Sequence, residues 1–322
     1  MSGDMNSQQM DEPALKVSKL VKRYGDMVAL DHFDLDVRRG EVFGLLGPNG
    51  SGKSTAINCI LSLLSFESGT VRIFGREMTP SSYDLKRRIG VVPQNVAVFN
   101  ELSVRENIDY FCSLYVPRKA DRKDLVEQAI DFVGLGDFSS FRPGKLSGGL
   151  LRRLNIACGI AHQPDLIFFD EPTVAVDPQS RNAILEGIEH LNAQGATVVY
   201  TSHYMEEVEQ ICTRIMIMDH GRRIALGTAE ELKGMVEAGE QVTVETLDLQ
   251  DSTLAQLRAL PLAQSADYDG KELVIHCRQG DHNLQDVLAV LESSGTNYGH
   301  LTSRPPSLND VFLELTGKEL RD

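Results

Sequence analysis

The run Gly47-Pro-Asn-Gly-Ser-Gly-Lys-Ser54 limits the folds open to this chain more than any other stretch, because it has the spacing G-x-x-x-x-G-K-[ST]. Glu41-Val-Phe-Gly-Leu-Leu46 before it reads as a buried strand, and Thr55-Ala-Ile-Asn-Cys-Ile-Leu61 after it as the start of a helix. The residue types suit a cradle for phosphate. Gly47, Gly50 and Gly52 let the backbone curl, with Pro48, Asn49 and Ser51 between them, so that successive N–H groups face inward and the helix adds its positive N-terminal end. Lys53 is placed to reach β- and γ-phosphates, and Ser54, followed by Thr55, to offer a hydroxyl to Mg²⁺. A strand–loop–helix of this kind belongs to an α/β domain.

At 322 residues the chain has room for one large domain and a smaller one. Its net charge of -14 argues against a general nucleic-acid binder, which draws its affinity from Lys and Arg on phosphates. No apolar run approaches the roughly 18 residues of a membrane helix. Residues 1–13 are polar and acidic and read as a flexible tail rather than a signal peptide. The five cysteines, odd in number and without a C-x-x-C pair, sit among apolar residues as reduced thiols do in a cytosol-like compartment.

Leu15 to Val37 reads as two strands turning at Gly25-Asp26, with Tyr24 just before the turn. Tyr24 has two readings, an aromatic stacking on a base or ordinary half-buried packing. Thr70–Phe74 and Ile89–Val92 are further strands, the second ending at Pro93-Gln94. The Gln94 amide is either a contact for metal-bound water or an exposed loop group. From about 97 to 163 the pattern is helical, beginning with the capping box Ser103-Val-Arg-Glu106, whose helix carries Ile108, Phe111, Cys112 and Tyr115 on one face. A second helix has Val126, Ala129, Ile130 and Val133 on one side and stops at Gly134. Leu146-Ser-Gly-Gly149 then opens a third, where Ser147, Gly148 and Gly149 form either a second anion-seeking N-terminus or a plain Ser cap.

Leu166-Ile-Phe-Phe169 is apolar throughout, as a parallel strand buried on both faces requires, and runs into Asp170-Glu171. Open α/β sheets bind ligands at that end of their strands. Asp170 is placed to hold Mg²⁺ through water, and Glu171 to take a proton from water attacking a γ-phosphate. Thr197–Tyr200 leads to His203, which ends a parallel neighbour and is in position to donate to the same phosphate. Ile215–Met218 and Arg223–Leu226 close the domain as a hairpin. From about residue 240 the composition shifts, and the order strand, helix, two strands, helix, strand suggests a small ferredoxin-like α+β domain. A final helix starts at the capping box Ser307-Leu-Asn-Asp310, with Leu308, Val311, Phe312 and Leu315 on one face.

Taken in order, these motifs closely resemble the ATP-binding subunit of an ABC transporter, over about Leu15 to Leu232. The resemblance implies a P-loop NTPase fold with an antiparallel β subdomain and a helical insert. Tyr24 then matches the adenine-stacking aromatic, Gly47 to Thr55 the Walker A loop, Gln94 the Q-loop glutamine that senses Mg²⁺ and the membrane partner, and Ser147 to Gly149 the signature that grips ATP on the opposite subunit. Asp170 matches the Walker B aspartate, Glu171 the catalytic base, Asp177 the D-loop aspartate and His203 the switch histidine. ATP and Mg²⁺ follow as ligands, as does a head-to-tail dimer with a second copy or a related cassette. Pro306-Ser-Leu-Asn-Asp-Val-Phe-Leu-Glu-Leu-Thr316 and Asp170-Glu-Pro-Thr-Val-Ala-Val-Asp-Pro178 resemble exporters of the ABC-2 type, which act on drugs, antibiotics, sodium or polysaccharide precursors. This implies a cytoplasmic ATPase held to the inner face of the membrane by separate permease subunits.

Leu150 stands where the signature often has Gln, and Val174 and Val176 replace common residues near the D-loop. None of them holds phosphate, so ATPase activity is expected to survive. The expected division is an ATPase domain over 14–236 and an accessory domain over 240–322, a brace between cassettes or else a sensor. The competing function is a soluble ABC ATPase with a non-membrane partner. The single cassette, the lack of coiled coil between the motifs and the acidic charge weigh against it.

Overall fold

The computed structural model describes residues 12–236, 238–280 and 282–317, so most of the expected tail, up to residue 11, lies outside the described residues. The chain forms two compact units that divide between Thr228 and Ala229.

In the first unit the elements follow as β1 (Leu15–Tyr24), β2 (Met27–Val37), β3 (Val42–Leu46), α1 (Lys53–Ile60), β4 (Ser68–Ile73), β5 (Arg76–Glu77), α2 (Tyr83–Lys86) and β6 (Ile89–Val92). There follow α3 (Val104–Ser113), α4 (Lys119–Phe132), α5 (Gly148–Ile160), β7 (Leu166–Asp170), α6 (Pro178–Ala193), β8 (Thr197–Ser202), α7 (Met205–Ile211), β9 (Arg214–Asp219) and β10 (Arg222–Gly227). Six strands form one sheet in the order β10-β9-β3-β8-β7-β6, parallel except for the edge hairpin of β9 and β10. Every residue of β3, β7 and β8 is buried, as expected of central parallel strands covered on both faces. A second, antiparallel sheet has the order β2-β1-β4-β5, and its turn falls at Gly25-Asp26.

One core joins the two sheets through α1. Leu15, Val17, Phe33 and Leu35 pack in the same cluster as Ala56, Ile57 and Ile60 and as Phe43, Phe168 and Met216. Each side chain of that size contributes roughly 1.5–3 kcal/mol when fully buried. The helical segment is built from α3, α4 and the start of α5. The capping box opens α3, with Ser103 Oγ accepting from the Glu106 N–H at 3.3 Å and the Glu106 carboxylate accepting from the Ser103 N–H at 2.7 Å. Ile108 and Cys112 are buried, whereas Phe111 and Tyr115 are half-buried, Tyr115 stacking on His162 at 3.9 Å. The cysteines are free thiols.

The second unit runs through α8 (Ala229–Lys233), β11 (Ala238–Glu245), α9 (Asp251–Arg258), β12 (Ala263–Tyr268), β13 (Glu272–Arg278), α10 (Asn283–Ser293), β14 (Leu301–Arg304) and α11 (Leu308–Thr316). The order β12-β13-β11-β14, antiparallel throughout, is that of a ferredoxin-like split βαβ unit. Val242, Val244, Leu273 and Ile275 from the sheet meet Leu257, Val287 and Leu291 from the helices. Helix α8 belongs to this unit and packs on α11, so the structural break precedes the shift in composition near residue 240. The last strand is Leu301–Arg304, and Leu315 stays 40% exposed while Leu308, Val311 and Phe312 are buried.

Candidate functional site

The turn between β3 and α1 is closed from several sides. A Cβ on Gly47 would lie 2.2 Å from the Met218 carbonyl, and Gly52, at φ 108°, would bring one to 2.7 Å from the Ala29 carbonyl. Side chains are therefore excluded at both positions by contact, and at Gly52 by backbone conformation as well. Lys53 is 4% exposed, and its ammonium donates to the carbonyls of Gly47 at 2.8 Å and Pro48 at 3.1 Å. It also lies 3.3 Å from Glu171 Oε1. Burial pushes the Lys53 pKa down, and Glu171 opposes that shift.

The end of β7 supplies the facing wall. Asp170 Oδ1 accepts from Thr201 Oγ1 at 2.7 Å and from Ser54 Oγ at 3.2 Å. Glu171 has a left-handed backbone, φ 47°, which costs a residue with a Cβ on the order of 1–3 kcal/mol and persists only where neighbours enforce it. Its N–H donates to Thr201 Oγ1 at 3.0 Å. Its carboxylate receives three groups from three elements: Lys53 on Oε1, Gln94 Nε2 donating to Oε2 at 2.9 Å, and His203 Nδ1 at 3.4 Å from Oε2. Gln94 is thus no free loop amide, and His203 sits against the carboxylate.

A cleft of roughly 340 Å³ opens beside these groups, lined by Tyr24, Asn49, Gly50, Gly52, Lys53, Ser54, Thr55, Gln94 and Glu171, together with Met27 to Ala29 and His220. Tyr24 is 44% exposed, with Lys22 Nζ 5.2 Å from its ring centre. The hydroxyl, carboxylate and amide oxygens of Ser54, Asp170 and Gln94 are the hard donors that Mg²⁺ takes alongside nucleotide phosphates. Among the described residues no cluster of three or more His, Cys, Asp or Glu side chains forms a separate metal cage.

Ser147, Gly148, Gly149 and Asp177 do not line this cleft. They form a second group at the starts of α5 and α6. Ser147 Oγ caps α5 by accepting from the Leu150 N–H at 3.3 Å, and Ser147 and Gly148 are exposed. Asp177 caps α6 by accepting from the Ser180 N–H at 2.9 Å, and that bond holds its carboxyl below the usual range. Gly149 is buried against this cap, where a Cβ would fall 2.4 Å from Ser180 Oγ and 3.2 Å from Asp177 Oδ2.

Three supporting residues escape a reading of the sequence. Thr201 pairs with Asp170 in register across β7 and β8, so its role follows only once the strand order is known. Glu207, 2% exposed, accepts on Oε2 from Thr173 at 2.8 Å, Tyr200 at 2.8 Å and Ser202 at 2.9 Å. Arg152 turns inward from α5 and donates to main-chain carbonyls at the ends of β6 and β7.

A glycine-rich phosphate cradle at a strand–helix turn, a carboxylate pair on a neighbouring strand and a separate Ser-Gly-Gly helix start define an ATP-binding cassette. Residues 30–174 match the ABC transporter family, and residues 227–316 match the C-terminal domain of DrrA1-3-like ATP-binding proteins. The chain is 36% identical over 310 residues to the linearmycin resistance ATP-binding protein LnrL of Bacillus subtilis (strain 168), covering 96% of this chain and 100% of that protein. It is 34% identical to the daunorubicin resistance ATP-binding protein DrrA3 of Streptomyces coeruleorubidus, over 97% and 98% of the two chains. A dimeric ATP-binding cassette solved in a post-hydrolysis state with ADP and phosphate superposes with a TM-score of 0.61 at 26% identity, covering 66% of this chain and 98% of that one. The chain belongs to the family of ABC transporter ATP-binding subunits. It binds and hydrolyses ATP, and cassettes of this family form dimers and work with transporter permeases. Among the described residues no helix is long and apolar enough to cross a membrane.

Proposed function

We propose that this cassette energises an ABC-2 type exporter, as part of an ATP-closed, head-to-tail dimer bound to separate permease subunits at the inner face of the cell membrane. The match of residues 227–316 to DrrA-like proteins supports this reading, as do relatives named for drug resistance and Nod factor export. The substrate is then a drug, antibiotic, ion or polysaccharide precursor, selected by the permease.

The observation that carries the site assignment is the convergence of Lys53, Gln94 and His203 on Glu171 beside the Ser54–Asp170–Thr201 group. Glu171 is the general base that takes a proton from the attacking water, oriented by Gln94 and His203. Lys53 and the N–H groups of the loop bind the β- and γ-phosphates, and Tyr24 stacks on the adenine at the mouth of the cleft. Bound Mg²⁺, held by Ser54 and, through water, by Asp170 and Gln94, would neutralise phosphate charge. Ser147 to Gly149 and Asp177, lying away from their own chain's cleft, complete the site of the opposing subunit. The second unit braces the paired cassettes.

Export is tested by finding whether a multi-span membrane protein is encoded beside this chain, co-expressing the two and measuring ATP-driven transport into inverted vesicles. A cassette that turns over ATP yet stays wholly in the soluble fraction beside that protein would favour a non-membrane partner. Ending the chain at Thr228 tests the brace: an unimpaired ATP-driven dimer would exclude it.

A further inference from the structure

Arg152 is 3% exposed and, among the described residues, has no carboxylate partner within ion-pair distance. Its donors go instead to main-chain carbonyls on two separate segments. Nε donates to Pro172 O at 2.6 Å, and Nη2 to Glu171 O at 2.7 Å and Asp170 O at 3.4 Å. Nη1 donates to Pro93 O at 3.0 Å and Gln94 O at 2.6 Å. One turn further along α5, Asn155 repeats the hold on the second segment, donating to Pro93 O at 3.2 Å and accepting from the Ala97 N–H at 3.1 Å.

The geometry gives this arrangement a purpose beyond filling space. Arg152 grips the peptide units on both sides of Glu171, the residue with the left-handed backbone, and so fixes where its carboxylate points. The same planar fork grips the peptide units on both sides of Gln94, whose amide donates to that carboxylate. It does both from a helix whose cap is Ser147. A shift at the start of α5 therefore moves the supports of Gln94 and Glu171 together. Five donors in fixed directions are available only to Arg, since a Lys ammonium has three and no planar fork.

We infer that Arg152 is a positioning residue that locks the aim of Glu171 and Gln94 to the placement of Ser147, Gly148 and Gly149, so that engagement of this helix start by nucleotide on the opposing subunit sets hydrolysis in its own chain. The inference rests on the proposed roles of Glu171 and of the Ser147 helix start.

The test compares Arg152→Lys, Arg152→Gln, Glu171→Gln and each Arg152 change combined with Glu171→Gln. Equilibrium ATP affinity, kcat, KM, the Hill coefficient for ATP and the unfolding temperature are measured for all. In a folded Arg152 variant, ATP affinity stays within about threefold, kcat falls about 10- to 100-fold as expected for loss of alignment, and the Hill coefficient falls towards one. Within Glu171→Gln, the same Arg152 changes produce no further loss of turnover, because Arg152 acts through Glu171. Near-wild-type kcat in a folded Arg152 variant overturns the inference, as does a lower unfolding temperature with the Hill coefficient unchanged. Loss of folding in both Arg152 variants also overturns it, by making the bonds a requirement of the fold rather than of alignment. Wild-type turnover in Glu171→Gln alone would instead overturn the assignment of the base.

Discussion

Glu171→Gln is expected to tighten ATP binding as well as slow hydrolysis. Lys53 lies 3.3 Å from Glu171 Oε1, and both side chains are about 5% exposed or less. At an effective dielectric near 20, two unit charges at this separation attract by about 5 kcal/mol. Most of that is offset by the cost of keeping both groups out of water. Phosphate oxygens must compete with the carboxylate for Lys53 and also meet its negative charge. The amide removes the competition and the repulsion, while its oxygen still accepts from Gln94 at little change in shape. A net gain of about 1–2 kcal/mol follows, or about 5- to 30-fold in Kd. Turnover falls by about 10²- to 10⁴-fold if Glu171 is the base. Anisotropy of a fluorescent ATP analogue gives the affinity, and phosphate release gives the rate. Unchanged or weaker affinity would refute the competition for Lys53, and a wild-type rate would refute the base.

Three other changes probe the scaffold. Burial holds His162 below its ordinary value of 6.5, so the folded chain keeps it neutral while the unfolded chain takes up a proton as pH falls through 6.5. Stability is therefore lost on acidification below 6.5, and His162→Phe should flatten that part of the unfolding profile, at a cost near neutral pH of about 1 kcal/mol for the bond to the Ile89 carbonyl. Gly149→Ala should destabilise by about 1–3 kcal/mol through its clash with Ser180, and Ser180→Gly should recover part of this in a double-mutant cycle by thermal unfolding. Ser307→Ala removes the cap of α11, so hydrogen exchange at Val311 and Phe312 should quicken by the equivalent of about 1 kcal/mol, with no change in β3 or β7.

Local pattern carried the elements well, for identifiable reasons. The apolar runs of β3 and β7 and the capping boxes at Ser103 and Ser307 encode their own structure within a few residues. The phosphate loop carried its chemistry in the same compact way. The contacts that assemble the site are of another kind. Lys53 meets Glu171, and Ser54 meets Asp170, because β8 separates β3 from β7 in the sheet, an order that no local periodicity specifies. The part Thr201 plays follows only from its register with Asp170 across β7 and β8. Nothing in the helical spacing around Arg152 reveals that carbonyls from two strand ends accept its donors. The division before α8 has no local sequence mark, because that helix joins its unit through contact with α11.

The place of β3 in the sheet also governs when this protein comes into being on the ribosome. Val42 pairs with Val198 and Phe43 with Arg214, so the strand that carries the phosphate loop has both its neighbours far downstream in the chain. Pairings of such long sequence separation form late, after the entropy of closing the intervening loops has been met. The loop is translated early, but its strand gains its flanking partners only after residues up to Asp219 have left the exit tunnel. Nucleotide binding by a nascent chain would therefore mark completion of the first unit, whose apolar strands stay unpaired until then.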